Sequence, residues 1–515
     1  MKPFDEQGAF RPVADGDRLR RLAVRGAGVT VFSQSLGFAI QMIATVILAR
    51  LLSPADFGLL TMVTTFSLLL TNFGLNGFTE AVLQRERMDH ALASNLFWIN
   101  AGLGLLLALG FAGAGPLLAR FYGDPRVAHV AAAVSVTIFL TSISVQHLAL
   151  LKRAMQFSVL SANDVLARAV SVAVSILLGW AAWGYWALVA GAITLPLATS
   201  AGAWALCRWV PGLPRRGVGT APMVRFALNT YGRFTASYLT WNLDNLLVGW
   251  RFGPNALGFY KKAYDLFILP TNQLSAPLTG VAVSTLSRLT RDPEQHARCF
   301  LRALSVLAFV GMGLGAGLTL TGKDLIRVLL GPGWEESGRI FTFFGPGIGI
   351  MLLYGTHGWI HLSIGRADRL FRWGLVELTV TGLLFLLGLQ WGSVGIAVAW
   401  VASLWVLTIP ALWYAGKPIH LGIGPVIGAV WKYVLASGLA GCATAAIIRG
   451  IPALAVTSGP MEAIGRIVAI SALFAALYLG AVILLHRGYA PLCHIAELVR
   501  DMVGPGQRAF SSTKA

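Results

Sequence analysis

Apolar runs long enough to cross a membrane alternate with short clusters of charge along most of the chain. A spanning helix needs about 20 predominantly apolar residues. The pattern predicts such segments near 29–49, 58–78, 96–118, 127–150, 162–182 and 185–207, then near 231–250, 263–286, 302–322, 340–362, 373–390 and 393–413, and finally near 427–448 and 464–485. A polar connection around Arg208, Pro211, Pro214, Arg215 and Arg216 separates the first six from the second six. The expected fold class is all-α: a polytopic membrane protein of about 14 transmembrane helices, with two six-helix lobes and two C-terminal helices. The expected organisation is a basic cytoplasmic N-terminus at 1–28, an N-lobe at 29–207, a cytoplasmic linker at 208–230, a C-lobe at 231–413, two further helices over 427–485 and a cytoplasmic tail at 486–515. No connection is long enough for a folded water-exposed domain, which argues against an enzyme on a membrane anchor.

An internal repeat relates the two halves. Ala49 to Gly58, after the first segment, matches Gly249 to Gly258, after the seventh, with Pro54 and Gly58 returning as Pro254 and Gly258. Leu117 to Gly123 resembles Leu325 to Gly331, and Leu178, Gly179, Trp183 and Gly184 match Leu387, Gly388, Trp391 and Gly392. Six helices per copy give both copies the same orientation. The expected symmetry is a pseudo-twofold along the membrane normal, with a cavity between the lobes.

Composition sharpens this reading. With 56% hydrophobic and 12% charged residues the chain has no soluble surface to offer. The 40 Lys and Arg against 22 Asp and Glu give a net charge of +18, and in a membrane protein such an excess reports topology before nucleic-acid binding. With the N-terminus placed in the cytoplasm, about 29 of the Lys and Arg residues fall on that side and about 11 on the other. Both termini are therefore expected in the cytoplasm, the basic face against anionic lipid headgroups. The stretch after Arg18, Arg20, Arg21 and Arg25 is too long for a signal-peptide core and reads as an uncleaved span. Cys207, Cys299, Cys442 and Cys493 stand singly, as helix-packing residues.

Several local patterns have bland readings. Gly317 to Asp324 nearly spells a phosphate loop, but Asp324 replaces the required hydroxyl and the run ends an apolar span. His357 and His361 lie one turn apart without a third metal ligand in view. Gly311, Gly313, Gly315 and Gly317 permit close helix approach.

Polar residues inside spans carry more information, since a charge at mid-bilayer costs roughly 2.5–3.5 kcal/mol unless protein or water receives it. In the seventh segment Arg233, Ser237, Thr240 and Asp244 form one face, widened by Asn242 and Asn245. That face reads as a cavity wall or as a contact to a neighbouring helix. Thr30, Gln34, Gln41 and Thr45 repeat the theme in the first segment, and Asn72, Asn76 and Glu80 do so in the second. Asp164 and Arg168 form an i,i+4 pair, Lys262 and Asp265 a surface pair at the opposite mouth. Arg298, Arg302, Arg369 and Arg372 are inner-mouth positives, whose simplest role is anchoring. Most Trp residues lie near span ends, as an interfacial belt requires, whereas Trp241 lies mid-helix beside Asn242, placed to stack on a sugar or to fill a lobe interior.

Ile47 to Gly58, Phe121-Tyr122-Gly123, Asn242 to Gly249 and Leu257-Gly258-Phe259-Tyr260 together resemble the polysaccharide transporter family of bacterial lipopolysaccharide and exopolysaccharide flippases, within the multidrug/oligosaccharidyl-lipid/polysaccharide export superfamily. The resemblance covers roughly residues 20–415; Lys261 and Lys262 fit it, while Glu80 departs from it. It implies movement of an undecaprenyl-pyrophosphate-linked oligosaccharide from the inner to the outer leaflet of the bacterial inner membrane by alternating access. It also brings polysaccharide polymerase and export machinery into view as partners.

On that reading Arg233, with Arg168, Arg298 or Arg302, contacts the pyrophosphate, since guanidinium matches phosphate in bidentate geometry. Gln34, Gln41, Asn242 and Asn245 hydrogen-bond sugar hydroxyls, and Trp241 is a stacking candidate. No cofactor is expected. Asp244 is either an exchange residue for a coupling proton or sodium ion, or a structural or substrate contact. Two other functions stay open: export of another cargo, such as the peptidoglycan lipid precursor or a drug, and a membrane-embedded glycan polymerase or ligase. Inner-mouth arginines favour an anionic headgroup over a cationic drug, and the short outer connections disfavour the enzyme.

Overall fold

Within hydrocarbon every backbone N–H and C=O must be satisfied by the chain itself, which leaves helices as the simplest solution for these apolar runs. The computed structural model describes residues 3–10, 17–85, 88–217, 219–451 and 459–489. Thirteen α-helices account for most of them: α1 (Asp17–Leu51), α2 (Pro54–Gln84), α3 (His90–Tyr122), α4 (Arg126–Arg153), α5 (Phe157–Trp180), α6 (Tyr185–Cys207), α7 (Ala221–Arg288), α8 (Pro293–Leu330), α9 (Glu335–Ser363), α10 (Ala367–Gly388), α11 (Gly392–Gly416), α12 (Ile423–Gly450) and α13 (Pro460–His486). Every expected span falls on one of these helices, 162–182 and 373–390 overrunning the ends of α5 and α10 by two residues and the seventh and eighth sharing α7, so the count of 14 holds. The chain is an all-α, multi-pass membrane protein.

Two boundaries differ from the apolar pattern for identifiable reasons. α1 starts at Asp17 rather than near 29, because a helix can run beyond the hydrocarbon layer into its polar flank. α7 counts 68 residues, which straight would measure about 100 Å. It folds back instead at Gly253, whose φ of 79° and ψ of −178° break the helix. Side chains on either side of the break prove the reversal: Asp244 and Tyr260 would be about 24 Å apart along a straight helix, yet Tyr260 donates a 2.8 Å hydrogen bond to Asp244.

The chain divides into two compact units. Unit 1 comprises Met1–Lys261 with Leu330–Pro332 and Leu389–Ser393, and unit 2 comprises the remainder. The first arm of α7 thus belongs to unit 1.

In unit 1, α1 and α5 run parallel and meet at intervals of three turns. A side chain on Gly26 would touch Phe157, one on Gly37 would touch Arg168, and one on Gly179 would touch Leu48 and Leu51. At the N-terminal end of the unit an apolar cluster built on Leu92, Leu96, Phe97, Val145 and Trp209 takes in Phe4 from the N-terminal segment. That segment is tied on by backbone bonds from Phe10 to Met88 and from His90 to Gly8, and Arg153 covers the Phe10 ring at 5.2 Å. The linker after α6 is held just as firmly. Asn95 and the Arg215 backbone exchange two hydrogen bonds, Ser94 accepts from the Gly212 amide at 2.9 Å and Trp98 donates to the Gly212 carbonyl at 2.9 Å.

In unit 2 the closely spaced glycines of α8 serve two packings. Gly311 and Gly315 face Gly349 and Gly345 of α9, while Gly313 and Gly317 face the Tyr478 and Phe474 rings of α13. Small residues allow such approach where lipid supplies no hydrophobic drive between helices. Three polar contacts at successive levels hold the last two helices to α8: Ser305 donates to Tyr433 at 3.2 Å, Tyr478 donates to the Phe309 carbonyl at 2.7 Å, and Arg466 pairs with Asp324 at 3.1 Å.

Candidate functional site

The side of α7 that packs on α2 is the one carrying Asn242 and Asn245, away from the stripe of Arg233, Ser237, Thr240 and Asp244: there Tyr231 and Tyr238 donate to the carbonyls of Leu69 and Thr65 at 3.0 and 2.9 Å. Further along, Asn242 donates to the Tyr238 carbonyl and Asn245 to the Asn242 side chain at 3.3 Å. Asp244 is fully buried, its carboxylate accepting from Tyr260 on one oxygen and from the Asn245 backbone amide on the other, both at 2.8 Å. This brace ties Tyr260, just past the turn at Gly253, to the first arm of α7 within unit 1. Asn245 is buried as well, and its side-chain oxygen lacks a hydrogen-bond partner. Trp241 is exposed. Arg233 lies on α7, but its side chain falls outside the described residues, as do those of Ser237, Asn76 and Glu80.

A second polar group is open. Arg168 and Asp164 of α5 pair at 2.9 Å with 40% and 49% of their side chains exposed. The Arg168 stem rests over Gly37 of α1. Gln34 and Gln41 flank Gly37 on the same helical face, and both are exposed within unit 1. The fold therefore brings together Arg168, Asp164, Gln34 and Gln41, from two helices distant in sequence. A guanidinium, a carboxylate and two carboxamides left uncovered at the depth of a span need water or a polar ligand beside them.

The other arginines lie in unit 2. Arg298 reaches Glu294 at 3.7 Å with both side chains largely in the open, and Arg302 is exposed one turn further along α8. Arg369, expected as a headgroup anchor, is instead turned onto α11, where it donates to the Tyr414 carbonyl and lies 4.0 Å over the Tyr414 ring.

The repeat acquires a physical meaning within unit 1. A side chain on Gly58 would sit 1.7 Å from the Pro254 carbonyl oxygen, and one on Gly258 would sit 1.8 Å from that of Pro54. The two matching motifs cross each other reciprocally. The neighbouring matches cross as well: Arg50 packs on Gly331, while Trp250, its counterpart, stacks on Phe121 at 6.1 Å, two residues before Gly123, the counterpart of Gly331. The sequence similarity survives where the copies touch, because a reciprocal contact constrains both partners in the same way.

Two residues are hard to single out from sequence. Tyr260 stands there only as part of a motif, and its pairing with Asp244 depends on the turn at Gly253. Glu377 lies inside the expected 373–390 span, where its acidity alone is the signal.

The fold is shared with solved structures of a lipid II flippase and a multidrug resistance transporter. A structure titled lipid II flippase MurJ, inward closed conformation, aligns with a TM-score of 0.70 at 14% identity, covering 91% of this chain and all of that one. An inward-facing multidrug resistance MATE transporter of the MOP superfamily aligns at 0.60 and 15% identity over 75% of this chain and 94% of its own. Among sequences, the succinoglycan biosynthesis transport protein ExoT of Rhizobium meliloti (strain 1021) is 23% identical over 76% of this chain and 79% of its own length. The lipopolysaccharide biosynthesis protein WzxC of Escherichia coli (strain K12) is 22% identical over 78% and 82% respectively. Residues 47–339 match the family described as polysaccharide biosynthesis protein. With more than half of its length so matched, the chain belongs to the polysaccharide biosynthesis protein family.

Proposed function

We propose that the protein is a flippase that carries polyprenyl-pyrophosphate-linked oligosaccharide repeat units, undecaprenyl in bacteria, from the inner to the outer leaflet of the inner membrane by alternating access. A glycan headgroup bearing a pyrophosphate cannot enter hydrocarbon unaided, whereas its polyprenyl tail can stay in lipid. What such a cargo needs is a polar surface at membrane depth, and the open group of Arg168, Asp164, Gln34 and Gln41 is the observation that carries this reading. Arg168 is assigned to the pyrophosphate and the two glutamines to sugar hydroxyls. Arg298 and Arg302 are assigned to headgroup capture at the inner mouth, Arg233 to the pyrophosphate, and Trp241 and Asn242 to the glycan. The family and the names of the relatives ExoT and WzxC support a polysaccharide precursor as cargo.

The same reading places both termini in the cytoplasm and the product within reach of a polymerase and export machinery. An ion gradient supplies the energy. Asp244 is the proposed exchange residue for a proton or sodium ion, and its brace to Tyr260 would link occupancy to the angle between the arms of α7. In cells lacking the native gene, Arg168→Ala at wild-type abundance should lower surface glycan at least about tenfold, the scale of one lost charge-assisted contact. Unchanged glycan would remove Arg168 from the site.

A further inference from the structure

Glu377 stands midway along the 22-residue α10, where an acid in a span is by default a functional candidate. The residue is half-buried, and its carboxyl turns onto α9 to meet the Tyr354 hydroxyl, whose oxygen also accepts the Trp373 indole N–H at 3.0 Å. Among the described residues no ion pair reaches Glu377. No basic partner there balances it as a carboxylate, and a proton would neutralise it.

A line of titratable groups leads from Glu377 toward the end of the unit expected to face the cytoplasm. Tyr354, His357 and His361 succeed one another at i, i+3 and i+7 on one face of α9. The Tyr354 and His357 rings lie 4.7 Å apart, and His357 and His361 lie 6.1 Å apart. His361 is completely buried, yet neither of its ring nitrogens has a hydrogen-bond partner. A buried imidazole with both nitrogens unmet is a place for a water molecule or a proton in transit. The line spans about 10 Å of helix.

The other groups packed around it are Trp373, Arg369 and Asp368 of α10, Tyr414 of α11, Arg366 in the connection, and His296 of α8. Arg369 is engaged with Tyr414, Arg366 with Asp368 at 3.0 Å, and His296 with Ser363 at 3.1 Å.

We propose that unit 2 holds a proton-exchange site at Glu377, loaded through His361 and His357. Each transfer moves a proton from an N–H or O–H, water included, onto a free lone pair: His361 and the Nε2 of His357, whose Nδ1–H stays on the Tyr354 carbonyl, each take up and release one proton, and the Tyr354 hydroxyl gives its proton to Glu377 and regains one. Uptake of one proton at the mouth thus leaves Glu377 neutral and both imidazoles as they began. The use of this site as a driving-ion site rests on the transport reading above; its occupancy by a proton does not.

The test is infrared difference spectroscopy between acidic and neutral pH on the full chain reconstituted in lipid, with no cargo present. Wild type should show a titrating protonated-carboxyl band that is missing in Glu377→Gln and shifted in Glu377→Asp. Deuterium exchange of that band should slow at least about a hundredfold in the His357→Gln/His361→Gln variant, the low end of what a positioned acid–base group contributes. Should Glu377→Gln fold poorly, the Glu377→Asp shift decides the assignment. An identical band in the Glu377 variants overturns the site, and an unchanged exchange rate overturns the route. Because neither readout involves cargo, a wrong cargo assignment leaves both intact.

Discussion

Gly58 and Gly258 show how much one methyl group can decide. A Cβ at either position would lie within 2 Å of a backbone carbonyl oxygen, and a backbone atom cannot swing aside as a side-chain end can. Gly58→Ala or Gly258→Ala should cost about 1–3 kcal/mol, seen as a lower thermal midpoint of the purified protein; unchanged midpoints would refute the reciprocal crossing. At Asp124, in the turn between α3 and α4, the hydrogen-bonded Arg126 guanidinium holds the carboxyl below the ordinary carboxylate range. A depressed folded-state pKa stabilises above the unfolded value, about 3.9, and that stability is lost as pH falls through the folded value. Asp124→Asn should therefore lower stability at neutral pH by less than about 1 kcal/mol, since the arginine is half exposed. The difference should fade below about pH 4, which thermal melts across pH would show.

The helices were the most legible elements, because runs of about 20 apolar residues leave the backbone no other solution. Their ends were less so. α1 extends past its apolar run, and the apolar pattern, which breaks between 250 and 263, does not show the residue at which α7 turns back. The repeat did mark it, since Gly253-Pro254 answers Ser53-Pro54 at the start of α2. Gly253→Ala forces a side chain into backbone space that glycine alone enters comfortably, at about 1–3 kcal/mol. It should also weaken the Asp244–Tyr260 bond across the turn, which Tyr260→Phe breaks directly. If that bond holds the two arms together, both variants should speed amide exchange around Asp244; wild-type exchange in Tyr260→Phe would show the brace to be idle. The candidate site was half legible. Gln34 and Gln41 stood out as a stripe and Asp164–Arg168 as a pair, but only the parallel packing of α1 on α5 through Gly37 joins them. The acidic and amide residues of α7 read in the sequence as a cavity wall or as a contact to a neighbouring helix; in the fold Asp244 is buried where Tyr260 returns to meet it, and Asn245 is buried beside it.

At the scale of the whole molecule, a bundle this apolar keeps an exposed ion pair and two glutamines within its spans, a cost that only a polar cargo or a water path explains. The fold shared with MurJ, the polysaccharide biosynthesis family and the basic bias of the sequence all fit an anionic lipid headgroup crossing the membrane. The most direct measurement is leaflet movement of a defined polyprenyl-pyrophosphate oligosaccharide in vesicles containing the purified protein, with and without an imposed ion gradient. The account predicts gradient-stimulated transfer that falls at least about tenfold in Arg168→Ala. Transfer no faster than in protein-free vesicles, under a gradient and with folded protein, would contradict it.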